Sequence, residues 1–129
     1  MKRIQDNLSE KIDMAIDAHK AWKKRLDDAI NTRSSLVSVS EATCDTICDF
    51  GKWLYGEDIS SEIKLSESYV KVRQLHTKFH QQAGVVISGA TESDYYKIEH
   101  IINDISQYDA ISGELVDALL KWKSEILST

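Results

Sequence analysis

With 129 residues, 42% hydrophobic and 29% charged, the chain can close one core and has no length for a second. The absence of proline, only five glycines and long blocks of helix formers argue against an all-β sandwich or barrel, whose many turns need such residues. Sixteen Lys and Arg against 21 Asp and Glu leave a formal charge of −5, a field that repels phosphate backbones and argues against nucleic acid as a partner.

The chain opens on Lys2 and Arg3 with no apolar stretch behind them, and no window approaches the roughly 20 apolar residues of a membrane span. It reads as a cytosolic protein without a membrane partner, a single domain over residues 1–129.

Helical spacing of apolar residues predicts four helices. The first, over about residues 3–33, carries Leu8, Ile12, Ala15, Ile16, Trp22 and Leu26 on one stripe. A second, over about 40–55, follows a capping-box pattern at Ser38 and Glu41 and ends at Gly56. Ser60 or Ser61 can cap a third over about 61–88, with Leu65, Tyr69, Val72, Leu75, Phe79, Ala83 and Val86 on its stripe and Gly89 at its end. Thr91 and Asp94 can cap a fourth over about 92–127, striped by Ile105, Tyr108, Leu115, Leu119, Trp122 and Ile126. Short connections make sequential helices neighbours, so the expected fold is an all-α, antiparallel four-helix bundle.

The polar residues that fall on these apolar stripes are the informative ones. His19 continues the register of Leu8, Ile12, Ala15, Trp22 and Leu26 and points inward. His76 and His80, four apart, extend the series Leu65, Tyr69, Val72 on the core side of the third helix. His100 keeps company with Tyr96, Asn103, Asp104 and Gln107 and belongs to a solvated face. On the second helix Cys44, Cys48, Gly51 and Tyr55 share a stripe, and thiols four apart on a helix are poorly aimed for a disulfide. Gly51 in mid-helix, at about 1 kcal/mol against alanine, suggests a close backbone approach.

A single inward histidine is most simply a hydrogen-bonded core residue. Three of them with an inward cysteine on three helices point instead to a tetrahedral zinc site, which takes four N or S ligands. Two ligand sets satisfy the spacing: His19, Cys48, His76 and His80, or Cys44, Cys48, His76 and His80. Trp22, Phe50, Trp53 and Phe79 are most simply packing residues, and the basic run Lys20, Lys23, Lys24, Arg25 a solvated face beside Asp27 and Asp28.

Three short motifs, AHKAW from Ala18, CDFGKWLYG from Cys48 and HTKFHQQA from His76, resemble in type and order those of the chemoreceptor zinc-binding domain, a bacterial cytosolic four-helix module. They look like its His-x-x-Trp, Cys-x-Phe-Gly-x-Trp-Leu and His-x-x-x-His. The resemblance implies a zinc ion held inside the bundle by three histidines and one cysteine, which by motif position are His19, Cys48, His76 and His80. It further implies a sensory module that responds to zinc or to oxidants such as hypochlorous acid through the zinc-bound cysteine, in chemotaxis or cyclic-di-GMP signalling. The output is then made by a partner protein or fused effector, and the module is a homodimer. Trp53, Leu54, Tyr55 and Ile59, near the end of a short helix, are apolar residues that one bundle could leave uncovered.

Catalysis fits less well. Catalytic zinc keeps an open position that four ligands close, and a di-iron bundle needs Glu-x-x-His pairs where this chain has Arg73 and Lys97 three residues before His76 and His100. A zinc-braced bundle without a switch is the remaining alternative.

Overall fold

In a computed structural model, residues 4–32, 42–44, 49–92 and 98–128 are described. Regular structure among them is entirely helical: α1 (Ile4–Thr32), α2 (Asp49–Leu54), α3 (Ser61–Lys64), α4 (Glu67–Glu92) and α5 (Ile98–Leu127). Ser38, Glu41, Cys48 and Asp94, named above as caps or ligand, lie outside the described residues.

The long helices α1, α4 and α5 pack against one another and bury the expected stripes. Their register can be read from cross-helix polar pairs. Lys123 meets Asp13 at 2.8 Å and Lys23 meets Asp109 at 2.7 Å, so α5 runs opposite to α1. The Ser68 hydroxyl donates to the Glu125 carboxylate at 2.6 Å and the Gln82 amide to the Asp104 carbonyl at 3.0 Å, so α5 also runs opposite to α4. Helices α1 and α4 therefore run parallel, as the first and third helices of an up-down-up-down bundle do.

The second helix is not the continuous one expected. Ala42 and Thr43 are helical, Cys44 is not, and α2 covers Asp49–Leu54. Packing holds α2 in place: Phe50 and Leu54 are buried, the Tyr69 hydroxyl donates to the Leu54 carbonyl at 2.8 Å, and the Trp53 ring lies against Trp122, centroids 5.8 Å apart. At its end the Gly56 amide bonds to the Trp53 carbonyl, and a Cβ on Gly56 would sit 2.8 Å from the Lys52 carbonyl oxygen, so glycine fits this turn where other residues would not.

The third helix is also interrupted. The Ser60 hydroxyl caps α3 by accepting from the Ile63 amide at 3.2 Å, as the sequence suggests. One turn later Leu65 closes α3, and the Ser66 hydroxyl accepts from the Tyr69 amide at 3.2 Å to start α4. Leu65, expected inside, is therefore 84% exposed. At the far end α4 runs through Gly89 to Glu92, and the Thr91 hydroxyl donates back to the Ile87 carbonyl rather than capping a new helix.

Leu54 and Ile59 are buried within the chain, and Trp53 and Tyr55 are half-buried against its core. The first two are thus covered by the fold itself and are not open for a second copy. No helix among the described residues is long and apolar enough to cross a membrane.

Candidate metal centre

His19 comes from α1, and His76 and His80 from successive turns of α4. All three are buried, at 2%, 0% and 1% exposure, and each offers a ligand atom within 4.8 Å of those of the other two. Parallel packing of α1 on α4 sets His19 level with the pair. Cys44, half-buried and outside helix, is not in this group; His100 is exposed, as its polar neighbours suggest.

Main-chain carbonyls decide which imidazole nitrogen is free to ligate. A carbonyl only accepts, so the nitrogen facing it carries the proton. The His19 Nδ1–H donates to the Ala15 carbonyl one turn back in α1, at 2.6 Å. The His80 Nδ1–H donates to the Ala42 carbonyl, at 3.0 Å. In both rings the lone pair is left on Nε2, and the His19 Nε2 is buried with no hydrogen-bond partner among the described residues. The Nε2 atoms of His76 and His80 are 3.1 Å apart, close to the edge of about 3.3 Å that a tetrahedron of nitrogens at zinc-ligand distance would have.

Burial keeps the His19 ring neutral, the state that binds metal. Burial pushes the His19 pKa down from 6.5 to about 4, the Ala15 carbonyl offsets part of that by favouring the charged donor, and charge on His80 lowers it further. The walls are aromatic. Phe79 meets His19 edge-on at 4.8 Å between centroids, Phe50 meets His19 at 5.5 Å and His76 at 5.1 Å, and Trp22 meets His80 at 5.7 Å. These are three of the four aromatics read as packing residues; the fourth, Trp53, is half-buried.

Outside this wall a cleft of about 140 Å3 lies between α1 and α2, lined by Lys11, Met14, Ala18, Asp49, Phe50 and Trp53 among others. Since the Phe50 ring also packs on His19 and His76, solvent comes within one side chain of the imidazoles. The basic run behaves as a solvated face: Lys20 and Lys24 are exposed, Lys23 pairs with Asp109, and the Arg25 guanidinium covers the Trp22 ring at 4.9 Å.

Three converging buried imidazoles, two with the proton fixed away from the centre, fit a zinc ion. A model of the chemoreceptor zinc-binding domain family matches residues 19–87, more than half of the chain, from His19 to beyond His80. The chain belongs to the chemoreceptor zinc-binding domain family. No curated protein and no solved structure matches it. The cofactor of this chemoreceptor zinc-binding domain is zinc, and its family is a regulatory rather than a catalytic one.

Sequence reasoning missed the two carbonyls that fix the tautomers, since a main-chain acceptor at Ala15 or Ala42 leaves no trace in residue type. It also passed over Gly84, buried in α4 one turn beyond His80. Its signal was present, a glycine among helix formers in QQAGVV.

Proposed function

We propose that the chain is a cytoplasmic sensory module in which His19, Cys48, His76 and His80 hold one zinc ion and the Cys48 thiolate is the group that responds to the signal. The observation that carries this reading is the convergence of three buried imidazoles, a set one ligand short of a tetrahedral zinc shell. Chain proximity supports Cys48 as that ligand: Phe50, two residues on, already touches both His19 and His76.

Bound zinc keeps a cysteine sulfur deprotonated and binds it beside the imidazoles. The Cys48 thiolate retains electron pairs that can attack hypochlorous acid; sulfur is oxidised to the sulfenate level and chloride leaves. The cleft beside Phe50 brings small oxidants near. Cys48 is the ligand given by the segment before α2, whereas the histidines belong to α1 and α4, so its loss frees that segment while the two long helices stay joined. Motion of residues 40–58 is then what a partner protein, a fused effector or a second copy of the chain reads, as in chemotaxis or cyclic-di-GMP signalling.

Hydrogen exchange over residues 40–58 tests this in zinc-loaded, chelated and hypochlorite-treated protein. Faster exchange confined to that segment in the treated samples is expected. Equal protection in all three would make zinc a static brace. The homodimer belongs to the same proposal and is checked by sedimentation at several concentrations; a concentration-independent monomer removes it.

A further inference from the structure

A glycine inside a helix costs about 1 kcal/mol relative to alanine, so a buried one in α4 calls for a spatial reason. At Gly84 that reason is the main chain of residues 42–44, which crosses α4 there. A Cβ built on Gly84 would overlap the Thr43 hydroxyl and stand 3.3 Å from Thr43 Cβ and 3.6 Å from Thr43 Cα. Turning the Thr43 side chain moves the hydroxyl away, but its Cβ is fixed by the backbone at a distance tighter than ordinary packing, so the segment itself would have to draw back by a few tenths of an ångström. Ala42, the residue before, is fully buried and supplies the carbonyl that accepts the His80 Nδ1–H.

Retreat of this segment lengthens that bond. From 3.0 Å, such a shift weakens the hold on the Nδ1 proton and shifts the balance toward the tautomer with the proton on Nε2, the atom aimed at His76. His19 has no such dependence, because its acceptor, Ala15, is one turn away in its own helix.

We infer that Gly84 is a positioning residue of the metal centre: by carrying no side chain it lets the Ala42 carbonyl reach His80 and hold the Nε2 lone pair toward the ion. The inference rests on the zinc reading of the site. Partners of this kind orient a ligating histidine, and their loss typically weakens metal binding about 10- to 100-fold.

The test compares the wild-type chain with Gly84→Ala, Thr43→Gly and the double variant, using chelator competition for zinc affinity and thermal melting of the zinc-free protein. Gly84→Ala should weaken zinc about tenfold or more, and Thr43→Gly in the same chain should return affinity to within about threefold of Thr43→Gly alone. A purely structural role would instead lower the melting temperature of the zinc-free protein and leave zinc affinity unchanged, which overturns the inference, as does a double variant no better than Gly84→Ala. Imidazole nitrogen NMR of the zinc-free wild type reads the same point without any variant: His80 should carry its proton on Nδ1, and a proton on Nε2 overturns it. A wild type that binds no zinc defeats the underlying reading; one that binds zinc tightly while Gly84→Ala binds equally well defeats only the role of Gly84.

Discussion

The Nε2 atoms of His76 and His80 face each other at 3.1 Å in a fully buried setting. Two lone pairs at that distance repel, so something positive must lie between them, either a proton or a metal cation. His80 already carries its proton on Nδ1, so in the metal-free geometry the shared proton belongs to His76. A metal ion would supply that positive charge instead, with the buried His19 Nε2 as a further donor.

Metal analysis should find about one zinc per chain. His76→Ala or His80→Ala should weaken zinc more than about a hundredfold, beyond what loss of an outer partner does. His100→Ala, on an exposed face, should leave it unchanged. Equal loss from all three variants would mean the zinc is held elsewhere.

Cys48→Ala should cost zinc affinity as a histidine ligand does, whereas Cys44→Ala should cost little, because Cys44 lies outside the histidine group and free cysteine behaves as a small hydrophobe. Chelator competition on the two variants decides it. Severe loss from Cys44→Ala with retention by His19→Ala would establish the ligand set Cys44, Cys48, His76 and His80 instead.

Stability of the zinc-free protein should fall on acidification through His19. The unfolded chain takes up the proton near pH 6.5 and the folded chain only near 4, so between these values the unfolded state binds more protons and folding weakens as pH falls. Above pH 6.5 the contribution is intact. From pH 7 to pH 4.5 the loss should reach about 2–3 kcal/mol. Urea unfolding of wild type and His19→Gln at both pH values isolates it; identical pH slopes would remove the assignment.

Phe79 is fully buried against His19, His80, Trp22 and Tyr108. Phe79→Ala should destabilise the zinc-free protein by about 3–5 kcal/mol. Lys123→Ala breaks a cross-helix ion pair that solvent screens, and should cost less than about 1 kcal/mol. Equilibrium unfolding distinguishes the two, and comparable losses would mean that the core is not where stability resides.

The long helices and the three histidines were legible because both depend on spacing: a residue in register with Leu8, Ile12 and Ala15 goes inward whatever its polarity, and His19 does. Leu65 also sat in register and is exposed, because Ser66 captures the Tyr69 amide and restarts the helix one turn later, a local bond that periodicity does not register. Cys44 was read as helical for the same reason and is not. Gly89 was read as a stop, yet α4 continues to Glu92, since glycine permits a helix end without requiring one.

The centre joins positions far apart along the chain. One ion shared by His19 and His76 closes a loop of about 57 residues, and because the site exists only in the folded chain the ion stabilises by being lost on unfolding, rather than by restricting the unfolded ensemble as a disulfide does. His76 and His80, four apart, close almost nothing. The long-range part of the link therefore passes through His19, and with it zinc supply bears on the cohesion of the whole bundle: without the ion, α1 and α4 are held together by packing alone.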